Sequence, residues 1–241
     1  MMDTHDTSTA WTMRIGSTAG IAGALLAMVG NLAHPATPID DPEGLARTIA
    51  DSGSWVAVHL VIVVGLVLML GGLIALGRSI EGGLPGALAR LGTAAAVAGV
   101  TVGLILVIVD GIAAKQLADA WAAAPPDERA TALRVVLASE TVNFALAALF
   151  NIVFAGVTFI LYGLAVAWSR LYPHWLGWIV AAAGVGSVAA GLVQAVAGEP
   201  STLSRVLTII FPTIITLWLV EMNVLVLRRA ATLERAAAHA A

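Results

Sequence analysis

Eight polar residues, Asn31, His34, His59, Asp110, Glu140, Asn143, Asn151 and Gln194, fall near the same end of six long apolar stretches. Imidazole nitrogens and carboxylate oxygens are donors that zinc and other divalent metals accept. His34, His59, Asp110 and Glu140 therefore form a candidate metal set. A metal with an open coordination position would activate a water for hydrolysis, a spare carboxylate serving as general base. Asn31, His59, Asp110, Glu140, Asn143, Asn151 and Gln194 would equally line a pocket for a small polar or lipid-headgroup ligand. A third reading needs no ligand: His59 hydrogen-bonds Asp110 or Asn31, and the set ties helices together. The four metal candidates come from four separate segments, without a paired spacing such as HExxH. Haem ligation by His34 and His59 finds no other support in the chain.

These residues need elements to position them, and composition names the class. Hydrophobic residues are 59% and charged residues 11% of 241, against roughly 45–50% and about 25% in soluble domains. The chain reads as an all-α integral membrane protein. There is no cysteine, so disulfides and thiolate ligands are excluded, and any metal would rest on His, Asp or Glu. The net charge of −3 offers no basic surface for nucleic acid. Crossing about 30 Å of hydrocarbon takes roughly 20 helical residues. That length predicts a bundle of six transmembrane helices at about 14–33, 55–77, 91–113, 141–168, 175–197 and 205–227, within a domain of 13–228. Residues 1–12 are expected to be a flexible N-terminal segment and 229–241 a tail. The start of the chain lacks the basic residues of a secretory signal.

Arginines near the span ends set the orientation. Arg14, Arg78, Arg90, Arg170, Arg228, Arg229 and Arg235 lie on the side of the termini, in short connections and a tail; Arg47, Lys115, Arg129, Arg134 and Arg205 lie opposite. Both termini are expected to be cytoplasmic, in a bacterial inner membrane, with the polar end facing outward. On that outer side, Asp41, Pro42 and Glu43 predict a capped short helix, and a second helical stretch is expected to run from Asp127 and Glu128 into the fourth span.

Helical phase aims the polar residues. Gly16, Gly20, Ala24 and Ala27 form a small-residue stripe, as do Gly99 with Gly103 and Ala183 with Ser187 and Gly191. Such stripes let helices approach closely in lipid, which marks the first, third and fifth spans as inner staves. At about 100° per residue, Asn31, Asp110 and Gln194 continue these stripes and point inward. Glu140, Asn151 and Thr158 share one face of the fourth span within roughly 20°.

Other positions carry less. Glu221 could couple protons in a small transporter, or simply pair with Arg78, Arg90 or a serine; Pro212 interrupts the same span. Trp55 is expected to be an interfacial anchor, Tyr172, His174, Trp175 and Trp178 an aromatic belt, and His5 and His239 parts of mobile ends.

The run Arg170-Leu-Tyr-Pro-His-Trp-Leu-Gly-Trp178, followed by a Gly/Ala-rich span, resembles the turn and fifth helix of an uncharacterised group of six-helix bacterial membrane proteins. That group, a domain of unknown function, also places a His near the start of its second helix, where His59 stands here. The resemblance implies the fold and no activity. The functional expectations are therefore three: a binding or accessory protein for a polar or lipid ligand or a membrane partner subunit, a metal-dependent hydrolase with a metal such as zinc, and a proton-coupled transporter.

Overall fold

The structure, a computed structural model, describes residues 4–38, 40–198 and 202–240, and all of its described elements are helical. The side chains of His5, Arg205 and His239 lie outside the described residues. The elements are α1 (Thr4–Ala33), α2 (Pro42–Asp51), α3 (Trp55–Ser79), α4 (Gly83–Ile108), π1 (Val109–Ala113), α5 (Ala114–Ala123), α6 (Arg129–Phe150), π2 (Asn151–Thr158), α7 (Phe159–Trp168), α8 (His174–Ala197) and α9 (Thr202–Ala240). Six helical stretches are long and apolar enough to cross a membrane: Ser8–Ala33, Trp55–Ser79, Gly83–Ala123, Arg129–Trp168, His174–Ala197 and Val206–Arg235. The first span thus begins ahead of residue 14, and the third and fourth run well past their expected outer ends. Those extensions are possible because α4, π1 and α5 form one continuous rod, as do α6, π2 and α7.

The spans form a ring in chain order. α1 packs on α3, α3 on α4, α4 on α6 and α7, α7 on α8, α8 on α9, and α9 closes back on α1. Arg14 of α1 and Glu234 of α9 meet at 2.9 Å, so the two termini share one side of the bundle. Backbones approach closely along the α1–α3 seam. A Cβ built at Gly20 would lie 2.6 Å from the Gly72 Cα, and one at Gly23 would lie 2.6 Å from the Gly65 carbonyl oxygen. Neither contact tolerates a side chain, so backbones touch there. The small-residue stripe of the first span is therefore an interface, but it meets glycines of the second span. This corrects the expectation that the first and third spans are inner staves, whereas the fifth is the most buried of the six. The central windows of the second and fifth spans are 44% and 50% buried, those of the first and third 33%.

The half of the ring near the termini is solid. Leu73, Leu76, Phe159, Val180, Leu219 and Met222 are fully enclosed there. Tyr162 donates a hydrogen bond to the Leu73 carbonyl at 2.6 Å and shares one with Thr93 Oγ1 at 2.8 Å. Removing the hydroxyl leaves the Leu73 carbonyl facing an apolar ring. Tyr162→Phe is expected to cost about 1–2 kcal/mol, read as a lowered melting temperature in detergent. Tyr172 is buried, with its hydroxyl 2.6 Å from Ser79 Oγ, whereas Trp175 and Trp178 are exposed on the rim. The expected aromatic belt therefore keeps its tryptophans and loses its tyrosine to the core. Glu221 is exposed on α9 and joins no ion pair among the described residues. This corrects its expected pairing with arginine.

A small cap covers the opposite end. Asp41 accepts a hydrogen bond from the Gly44 amide at 2.9 Å and Pro42 opens α2, as expected of a capped helix. Leu45, Ala46 and Ile49 of α2 pack against Ala114, Ala118 and Trp121 of α5 and Val136 of α6. Lys115 ties α5 to α2 through the Ala50 carbonyl at 2.8 Å. Trp55, expected to anchor at the lipid interface, is instead 1% exposed inside this cap.

Candidate metal centre

Three side chains from three spans converge beneath the cap. His34 follows the end of α1, His59 lies one turn into α3, and Asp110 is the second residue of π1. His34 Nε2 is 3.2 Å from His59 Nε2 and 3.8 Å from Asp110 Oδ2, and His59 Nε2 is 3.2 Å from the same carboxylate oxygen. His59 is buried, whereas the His34 and Asp110 side chains are 27% and 24% exposed. The group could hold a metal ion.

Each imidazole is oriented from behind. His59 Nδ1 lies 2.6 Å from the Trp55 carbonyl oxygen, and His34 Nδ1 lies 2.9 Å from that of Pro35. A carbonyl can only accept, so both Nδ1 atoms carry the hydrogen. In the neutral rings both Nε2 atoms then present lone pairs, to each other and to an acceptor-only carboxylate. Such an arrangement repels unless a cation sits among the three atoms. The point equidistant from them lies about 2.0 Å from each, the length of a zinc–nitrogen or zinc–oxygen bond at about 2.0–2.2 Å. A proton is the other cation that fits. The neighbouring Asp110 carboxylate raises the His34 pKa above its ordinary 6.5, more than burial lowers it.

The surrounding backbone is shaped for this contact. Trp55 Nε1 donates to the Asp110 carbonyl at 2.8 Å, and its ring centroid is 5.0 Å from that of His59 and 4.8 Å from that of His34. A Cβ built at Gly111 would lie 2.6 Å from His59 Cγ, so only glycine lets π1 pass this close. The π-turn itself is a local widening of the helix, a feature that recurs at functional sites. Sequence reading missed Trp55 and Gly111 as parts of the site. Their signals were present in spacing, Trp55 one turn before His59 and Gly111 next to Asp110.

A cavity of about 550 Å³ opens from the cluster into the ring, and all six spans contribute to its wall. Asn31, His34, His59, Asp110, Asn143 and Gln194 line its outer end; Leu66, Met69, Phe154 and Ile215 line its depth. Asn31 is exposed at the rim, its amide bonded to the Ala27 carbonyl of its own helix at 2.8 Å. Gln194 donates to the Phe144 carbonyl at 2.9 Å, which joins α8 to α6. Thr208 and Pro212, which sequence reading did not assign to the site, form the α9 wall. Pro212 has no N–H for the Thr208 carbonyl.

Two expected members stand apart. Glu140 lies outside the group of converging ligand atoms and outside the cavity wall. It is 6% exposed, and its Oε1 has no partner among the described residues. Asn151 is buried in π2, with its amide 3.5 Å from Thr208 Oγ1, and is not part of the cavity wall. Both share the inward face that phase assigned to them, but neither touches the three converging residues.

Fold and cluster together define a multi-pass membrane protein with a His/His/Asp group at one end of its helical ring. Over residues 17–222 the sequence matches the family described as Domain of unknown function (DUF4386), and the chain belongs to that family. No curated protein and no solved structure matches it.

Proposed function

We propose that this protein binds one divalent transition metal, of which zinc fits best, through His34 Nε2, His59 Nε2 and Asp110 Oδ2, and that the metal's open position receives a ligand oxygen from the cavity. The observation that carries this reading is the pair of imidazoles fixed by backbone carbonyls so that two bare nitrogens and a carboxylate oxygen face one point. Three protein ligands with a vacant fourth position are the arrangement of metal sites that act on a bound molecule. The site is placed on the outer side of a bacterial inner membrane, with both termini cytoplasmic, on the strength of the arginine distribution. Protein purified from cells without added metal is expected to carry one equivalent of zinc by elemental analysis. After chelation, zinc should restore a higher melting temperature. No stoichiometric metal and no thermal shift with zinc, manganese, iron or copper would sink the reading.

A hydrolytic use of the metal is a second reading, favoured by the set of three protein ligands that leaves a fourth position open for water. In that case the zinc-loaded protein hydrolyses chromogenic acyl esters. His59→Ala then loses the zinc-dependent rate together with the zinc. Equal rates with and without zinc would remove hydrolysis and leave the metal site.

A further inference from the structure

We infer that the cavity is a lipid slot: it takes the single acyl chain of an amphiphile whose head-group oxygen rests at the polar end, and the chain enters from the bilayer between the outer ends of α1 and α9. This goes beyond the metal reading and stands on the other part of the cavity.

The polarity of the wall changes with depth. His34, His59 and Asp110 define the outer end, and Leu66, Met69, Phe154 and Ile215 the floor. From His59 to Met69 is about 15 Å along α3 at 1.5 Å per residue. That is half of the roughly 30 Å hydrocarbon core, the depth to which a tail of one leaflet extends. Water finds too few partners against such a floor, so the natural occupant of the lower part is hydrocarbon. The volume of about 550 Å³ lies in the ordinary range of sites for molecules of modest size, about 300–1,000 Å³, and suits one chain better than a two-tailed lipid.

The route in is lateral. Asn31 of α1 and Ile209 of α9 both line the cavity and are both exposed, Ile209 to 67%. Next to Asn31, Leu32 is 79% exposed. The lip is therefore mostly apolar, with one amide, and it faces the surroundings of the bundle. Among the described residues a hydrocarbon chain meets no charge at this lip, and its head stays level with the three polar residues.

The test uses the full chain reconstituted in phosphatidylcholine vesicles with either a fatty acid or a monoacylglycerol that carries a diazirine at the end of its chain. After irradiation, mass spectrometry should find the label on Leu66, Met69, Phe154 or Ile215. The head that labels more strongly identifies its class. Ala155→Phe and Ile215→Trp, which fill the floor, should each lower this labelling at least tenfold while zinc content is unchanged. Label found only on outward residues such as Val64, Val97 and Leu192 overturns the inference. So does equal floor labelling in folded variants, and if neither variant folds, the wild-type map alone decides. Floor labelling in protein that binds no metal would leave the slot standing and remove the metal reading; zinc without floor labelling would do the reverse.

Discussion

His59→Ala is expected to abolish stoichiometric zinc and with it the zinc-dependent part of thermal stability. The ring of His59 lies at the centre of the cluster, 3.2 Å from both other ligand atoms, and is the most buried of the three. Without it His34 and Asp110 are left 3.8 Å apart across an open gap. A ligand that binds only the folded state at a hundredfold excess over its Kd stabilises by about 2.7 kcal/mol. That increment should appear in the wild type on zinc addition and be missing in His59→Ala. Asp110→Ala separates the metal reading from a purely structural tie. If the residues only join helices, the substitution lowers the melting temperature by the same amount whether or not zinc is supplied. If they hold a metal, chelated wild type and variant lie close together and diverge as zinc is added.

Gly111→Ala is expected to weaken zinc binding by about 10–100-fold, the range for groups that orient metal ligands, although residue 111 offers no donor atom. Its new methyl would fall 2.6 Å from His59 Cγ, and His59 can yield only by giving up the 2.6 Å bond to the Trp55 carbonyl or by moving α3. Relief of such a clash costs about 1–3 kcal/mol in packed interiors. A zinc titration monitored by calorimetry measures the affinity. Gly53→Ala is the control, because a Cβ there meets nothing within 4 Å. Equal zinc affinity in Gly111→Ala and wild type would show that His59 is not held in place by this contact.

The membrane class, the number of spans and the placing of His34, His59 and Asp110 at one end of the bundle were legible in the sequence because each depends on residue type and on position along a helix; that these three converge and Glu140 does not was not. Span length comes from hydrophobicity alone. Features set by backbone detail were not legible. The π-turns at Val109–Ala113 and Asn151–Thr158 leave no compositional mark. Through π2 a fixed step of about 100° drifts in phase, although Thr158 at its end is still buried, as are Glu140 and Asn151. Stripes of small residues marked one side of an interface but not the other. Gly65 and Gly72 of the second span sit among bulky residues, and their role became visible only against Gly20 and Gly23. Trp55 was misplaced for a related reason: the cap formed by α2, α5 and α6 encloses it, and tertiary cover of this kind cannot be read from a boundary position.

The transporter expectation meets a different obstacle. Among the described residues no polar route leads from the outer cluster to Glu221, since Leu73, Phe159, Trp218 and Leu219 fill the section below the cavity floor. The void is therefore a cup and not a pore. If the cup is the lipid slot proposed above, its occupant would enter and leave on the same side. A slot of that kind would serve the composition of a single leaflet and leave the asymmetry of the bilayer intact.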